Sequence, residues 1–187
     1  MVDNVNSERQ YQFRERLNQV HRPDRRDSAV TAGTGRTMVG AGWRIVVGRD
    51  ASAVTMQAAN DFQDYLQTSM HVPVSVERVP SVLGLAEADQ VIVLGTHADL
   101  PDFGAALSAP RSFRLQVDPG RIVVCGADER GVAQGCFHLE ELMNLAEAPV
   151  VDCGVQTRAP LFSPRMVHSG WGMDQFPDAY LNVVAHA

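Results

Sequence analysis

The chain has no lysine: all 16 of its basic residues are arginine. We read this as a coding bias, because the arginines are scattered and never gather into a basic run. The net charge of −6 points the same way. With no basic patch and no aromatic-basic stripe, nucleic acid is excluded as a partner. Long apolar runs are also missing. No segment approaches the ~18 apolar residues of a membrane helix, so no membrane partner is expected. Residues 1–13 (MVDNVNSERQYQF) hold no apolar stretch and do not read as a secretory signal, which makes a cytoplasmic location the expectation. Cysteine is scarce: Cys125, Cys136 and Cys153 are an odd number without paired spacing. They read as buried free thiols, which fits a reducing compartment better than a disulfide framework.

Familiar chemical motifs are missing too. Gly33, Gly35, Gly40 and Gly42 lie close together, but no Gly-Lys-Ser/Thr follows. They also precede a strand instead of joining one to a helix, so they do not make a phosphate loop. His138 is followed by Leu139-Glu140-Glu141 and lacks the second histidine of a His-Glu-x-x-His zinc helix. Asp50, Asp128 and Asp152 have no calcium-loop spacing. No serine or cysteine stands in a nucleophile elbow. His97 and Asp99 follow an apolar strand in GTHADLPDFG, where ligand loops often lie. In a polar loop such residues more often cap or face solvent. No metal and no cofactor is expected.

What the chain does contain is a sharp element pattern from Trp43 onward. Residues 43–48 (WRIVVG) form a β-branched run, hence a strand. Asp50 is placed to cap the following segment. There Val54, Ala58, Phe62 and Leu66 recur every four residues as one helix face. Residues 72–79 (VPVSVERV) alternate as a strand, with Pro73 marking an edge or a strand start. Residues 91–95 (VIVLG) are apolar throughout, as in a central strand. Phe113, Leu115 and Val117 share one face, Asp118-Pro119-Gly120 is a turn, and 121–125 (RIVVC) returns as the hairpin partner.

Asp128 then caps a second helix with Val132, Cys136, Leu139 and Met143 along one face. Gly131, Ala133 and Gly135 keep its start thin. A glycine-rich helix start costs stability that only close packing on a sheet offsets. Phe137 and Leu139 are expected to be buried there. The order β-α-β-β-β-β-α predicts an α+β fold, a two-layer sandwich of a mixed β-sheet with two helices on one face. The other sheet face is left open for something else.

Upstream, residues 1–42 read as an N-terminal arm. It is partly helical over 7–20 through Tyr11, Phe13, Leu17 and Val20, and irregular from His21 to Gly42. Downstream, residues 159–174 (APLFSPRMVHSGWGMD) read as a linker entering a buried strand. Residues 176–187 (FPDAYLNVVAHA) open an amphipathic helix. A strand followed by half a helix is one βα unit, and one such unit cannot bury itself.

This order, with GADERGVAQGCFHLEELM in the last full helix, resembles the N-terminal α+β domain of large glycoside hydrolases. It is most similar to the domain preceding the barrel in the family 20 β-N-acetylhexosaminidases. Related domains precede the barrels of α-glucuronidases and of O-GlcNAc-removing hydrolases. The likeness runs from Trp43 to Leu145 and continues through 160–174 as the linker and first barrel strand. It implies three parts: an arm at 1–42, an accessory domain at 43–158, and a barrel fragment at 159–187.

The resemblance also implies a non-catalytic role, bracing a (β/α)₈ barrel whose strand ends carry the chemistry. The chain alone would then be inactive, and the parent a glycoside hydrolase. Its partner would be the rest of its own barrel, with carbohydrate bound only by the intact parent. In the hexosaminidases the first barrel strand ends in Arg-Gly; here Ser169-Gly170 stands there. His168, Trp171 and Asp174 are the candidate sugar contacts, Trp as a flat apolar platform and Asp as a hydroxyl acceptor. They read equally as packed barrel-rim residues. The apolar side chains of 161–187 would favour self-association. The alternative is a free-standing binding or assembly module that uses the open sheet face.

Overall fold

In a computed structural model of the chain, the described residues are 19–85 and 88–162. The first barrel strand and half-helix expected in 163–187, with His168, Trp171 and Asp174, lie outside them. So does nearly all of the helix expected over 7–20. The compact unit that holds almost all of the described residues runs from Pro23 to Ser163.

The elements in chain order are β1 (Arg36–Met38), β2 (Arg44–Gly48), α1 (Ala53–Thr68) and β3 (Ser75–Val79). There follow β4 (Val91–Thr96), the short α2 (Pro101–Gly104), β5 (Phe113–Asp118) and β6 (Arg121–Gly126). The last are α3 (Glu129–Ala146), β7 (Val150–Asp152) and β8 (Gly154–Arg158). Six strands form one mixed sheet in the order β3-β2-β4-β6-β5-β8. β3, β2, β4 and β6 run parallel, while β5 lies antiparallel between β6 and β8. α1 and α3 cover one face, so the α+β two-layer fold read from the sequence is the fold observed. β3 is an edge strand that starts just after Pro73, and β4 is central, as their compositions require.

The main core lies between the two long helices and the sheet. Ile45, Val47, Ile92, Leu94, Leu115, Ile122 and Val124 point up from the strands. Ala58, Ala59, Phe62 and Leu66 of α1 and Val132, Cys136, Leu139 and Met143 of α3 meet them. Tyr65 packs on Phe62 with ring centroids 6.0 Å apart. Its hydroxyl donates to the Glu140 carbonyl at 3.1 Å and to Asn144 Oδ1 at 3.0 Å, joining α1 to α3.

Three local expectations are corrected. The cap of α1 is Ser52, whose Oγ accepts from the Thr55 amide at 3.2 Å; Asp50 lies too far upstream of Ala53 to reach the first turn. Val54 is 41% exposed, because the buried stripe of α1 begins at Thr55 and Ala58. Phe137 is half-buried, whereas Leu139 is fully buried as expected. Along α3 the positions facing the sheet are Val132, Gly135, Cys136, Leu139 and Met143, and Phe137 falls to one side of that row.

The opposite sheet face is also not open over its parallel half. Val46, Val91, Val93, Val123 and Cys125 point there and are buried. They are covered by the connections on either side of β4, which include a 3-10 turn at Leu83–Leu85 and the short α2, through Val82, Leu85, Leu100, Phe103 and Leu107. The cause is legible in the strands: 44–48, 91–96 and 121–126 carry apolar residues at successive positions without alternation. Such strands need cover on both sides.

β1 and β7 form a separate two-stranded antiparallel ladder, Arg36↔Asp152 through Met38↔Val150. A strand thus occurs inside the segment expected to be irregular up to Gly42. Arg36 Nε donates to Asp152 Oδ1 at 2.7 Å, an exposed pair that adds little stability. Burial of Val39, Val150 and Val151 is what ties this ladder to the domain.

Candidate functional site

In sheets with parallel strands, ligands usually sit at the carboxyl ends of those strands. Here that edge consists of the residues after β2, β4 and β6: Arg49 to Ser52, His97 to Leu100, and Ala127 to Asp128. Ser52, His97, Asp99 and Asp128 each make a structural bond there. The Asp99 carboxylate accepts from the Thr96 amide at 2.9 Å and from the Thr96 hydroxyl at 2.8 Å. His97 Nδ1 donates to the Ala127 carbonyl at 2.8 Å, tying the β4 loop to the β6 loop. Asp128 Oδ1 accepts from the Gly131 amide at 2.7 Å and caps α3, while Oδ2 accepts from the Arg111 amide at 2.9 Å.

Both helix starts at this edge therefore hold their own side-chain acceptor, Ser52 in α1 and Asp128 in α3. An incoming phosphate would have to displace a carboxylate from α3, which removes the usual attraction of such a terminus. Asp99 caps no helix; it is an exposed loop residue bonded back to Thr96.

His138, the lone histidine considered for zinc, is buried on α3. Its Nδ1 lies 3.1 Å from Glu141 Oε2 and its Nε2 lies 3.2 Å from Gln156 Oε1. Its ring also contacts Phe113, with centroids 5.7 Å apart. These contacts tie α3 to β5 and β8. Among the described residues no group of three or more His, Cys, Asp or Glu side chains could hold a metal ion. No described helix is long and apolar enough to cross a membrane. A cavity of about 60 Å³ lies between the end of α3 and the β7–β8 region, lined by Arg36, Leu142, Ala146, Val150, Val151, Asp152 and Gln156. Small-molecule pockets start near ~300 Å³, so this one suits water rather than a sugar.

Two of the three thiols, Cys125 and Cys136, are inert by position. Burial pushes the Cys125 thiol up to about 11, with the Asp99 carboxylate adding to the effect. Burial also raises the fully enclosed Cys136, and Glu140 adds to it. Cys153 is only half-buried, so burial as a common feature of all three cysteines is corrected at that position. Alkylation depends on thiolate and access. Iodoacetamide on the native chain is expected to modify Cys153 first, with Cys125 and Cys136 reacting only after denaturation. Mass spectrometry of tryptic fragments reads this directly. Fast native labelling of Cys136 would mean that α3 lifts off the sheet.

On electrostatics, the Arg121 guanidinium, followed by the Gln116 amide, holds the Asp118 carboxyl below its ordinary range. This locks the β5–β6 turn rather than building a reactive centre.

No family model matches the chain, and no curated protein matches it. Solved structures do. The family 20 β-N-acetylhexosaminidase from Streptomyces coelicolor A3(2) aligns with TM-score 0.51 at 16% identity, over 78% of this chain and 28% of that one. A mutant Streptomyces plicatus β-hexosaminidase in complex with its product GlcNAc aligns with TM-score 0.51 at 16% identity, over 78% of this chain and 27% of that one. A family 115 4-O-methyl-α-glucuronidase aligns with TM-score 0.49 at 16% identity, over 67% of this chain and 18% of that one. The fold is that of a domain found in glycoside hydrolases. The chain spans little more than a quarter of the length of the two hexosaminidases. Sequence identity this low carries the fold and nothing finer.

Proposed function

We propose that this chain is the N-terminal, non-catalytic α+β domain of a glycoside hydrolase in carbohydrate metabolism, with the first strand of the catalytic (β/α)₈ barrel attached. The observation carrying this reading is the fold likeness to a part, and only a part, of two hexosaminidases. In support, Ser52, His97, Asp99 and Asp128 at the carboxyl edge of the sheet are taken up in caps and loop ties. Its role would be to support the barrel, and its partner the rest of that barrel. Leu161 and Phe162 are 90% and 74% exposed and offer apolar surface for a following domain to cover. In the intact parent, His168, Trp171 and Asp174 would contribute to a sugar site. The alternative of a free-standing module loses support, since half of the sheet face it would use is already covered.

Activity provides the test. Glycoside hydrolysis needs two acidic groups, or a substrate-assisted equivalent, drawn from several barrel strands. Incubating the 187-residue chain with a panel of aryl glycosides is expected to release chromophore only at background. Release above background that disappears in Asp174→Asn would overturn the non-catalytic reading. The reading frame beyond Ala187 gives a second check: continuing βα repeats fit the hydrolase, and a stop codon fits the module.

A further inference from the structure

Neither long helix carries a cation or a glycine of its own at its C-terminal end. The last turns of α1 and α3 contain no basic residue, and their C-caps are Ser69 and Glu147. The chain leaves both helices through residues in left-handed backbone. Glu147 has φ 52°, and His71, just past α1, has φ 54°. A Cβ makes that backbone costly, so surrounding bonds must hold it. Carbonyls at such ends also carry the negative pole of the helix.

Two consecutive residues of the segment before β1 meet both ends. Arg26 Nη1 donates to the Met70 carbonyl at 2.7 Å and to the His71 carbonyl at 3.5 Å, just past α1. The Asp27 amide donates to the Glu147 carbonyl at 2.7 Å, at the end of α3. Asp27 is itself fixed by a local turn. Its Oδ1 accepts from the Ala29 amide at 2.8 Å, and its carbonyl accepts from the Val30 amide at 3.3 Å. Arg26 is half-buried in a stretch, 22–29, that is otherwise exposed. Arg25 brings a second positive charge. Burial and then the Glu140 carboxylate push the Tyr65 hydroxyl up, and the Arg25 charge opposes both. That hydroxyl is the one that joins α1 to α3.

We propose that residues 25–27 are a strap that closes the C-terminal ends of α1 and α3 together, a conformational device through which the segment before β1 controls both helices. The coupling follows from adjacency. Arg26 serves α1, Asp27 serves α3, and one peptide bond joins them. Release of the guanidinium slackens the backbone that positions the Asp27 amide, so both left-handed turns lose their hold at once. Two separate caps would instead let each helix fray alone.

Hydrogen exchange of the full chain, followed by NMR, reads the strap amide by amide. At the end of α1 the Ser69 and Val72 amides bond back to the Tyr65 and Leu66 carbonyls at 2.8 and 2.9 Å. At the end of α3 the Ala148 amide bonds back to the Met143 carbonyl at 3.1 Å. Arg26→Met keeps most of the stem and removes the guanidinium. It is expected to speed exchange about tenfold at all three amides, the size of one lost hydrogen bond to a charged group, while Ile92 and Val124 in the central strands stay unchanged. Arg26→Lys keeps a cation at the Met70 carbonyl and is expected to recover part of the protection at both ends. Faster exchange at Ser69 and Val72 alone makes Arg26 a local cap and overturns the strap. No change at any of the three overturns it too, as does an equal rise at Ile92 and Val124, which is a loss of global stability. A lysine variant that protects neither end overturns the role given to the charge.

Discussion

Phe62→Ala is expected to be the most damaging single substitution in the described domain, at ~3–5 kcal/mol. Phe62 is fully buried where α1 meets the sheet, and its ring stacks on Tyr65. Truncation removes apolar burial and leaves a cavity. The cavity cannot close readily, because α1 is fixed at both ends. Ser52 caps its start, and the Tyr65 hydroxyl bonds α3 near its end. Domains of this size are stable by ~5–15 kcal/mol, so the loss is a large share of the total. Urea denaturation measures it. A cost under ~1 kcal/mol would mean that the helix face is not packed as described. Phe137→Ala should fall well below that of Phe62→Ala, since Phe137 is only half-buried.

Gly135→Leu is expected to destabilise by ~1–2 kcal/mol, although two effects oppose each other. Leucine is the better helix former by ~1 kcal/mol, which alone would stabilise. Against this, a Cβ at Gly135 would collide with Val124 Cγ1 on β6, and its next neighbours are Phe113 ring atoms at 3.4 and 3.5 Å. Val124 is fully buried and its β-branched side chain has few rotamers to escape into. Overpacking costs ~1–3 kcal/mol per site, and leucine adds three carbons beyond the Cβ, so the steric effect wins. Gly131 gives a control with a stiffer neighbour: a Cβ there would strike the Ser112 carbonyl oxygen, a backbone atom that no rotamer change moves. Gly131→Ala should therefore also destabilise. If chemical denaturation finds Gly135→Leu more stable than the parent, α3 does not lie on the sheet.

The hairpin was legible because both signals are local. Phe113, Leu115 and Val117 alternate with polar residues, and Asp118-Pro119-Gly120 marks the reversal. The second helix was legible because Asp128 and the Val132–Met143 stripe agree on its start and its inner face. β1 and β7 were not legible. Each has three residues, too few for any periodicity, and each is a strand only because the other lies beside it. β8 has a readable composition, but its pairing with β5 joins residues some forty positions apart. The cap of α1 was misplaced because Asp50 and Ser52 are both good capping residues, and only the backbone turn decides between them.

The candidate site divides the same way. Asp99 and His97 were visible as polar residues after a strand, but their partners Thr96 and Ala127 come from the way β4 and β6 run side by side. His138 looked like a motif fragment, and its bond to Gln156 exists only because β8 passes beneath α3.

The sequence by itself determined the order of the main elements, their inner faces, the α+β class and the need for α3 to lie close on a sheet. Each of these follows from short-range physics: side-chain period, turn chemistry, capping, and the helix cost of glycine. Only the tertiary structure decided the strand order β3-β2-β4-β6-β5-β8 and the cover over Val46, Val93 and Val123. The reason is that a strand's pattern specifies which face is apolar but not which strand becomes its neighbour. Pairing and edge position emerge only when all the strands compete for the same core.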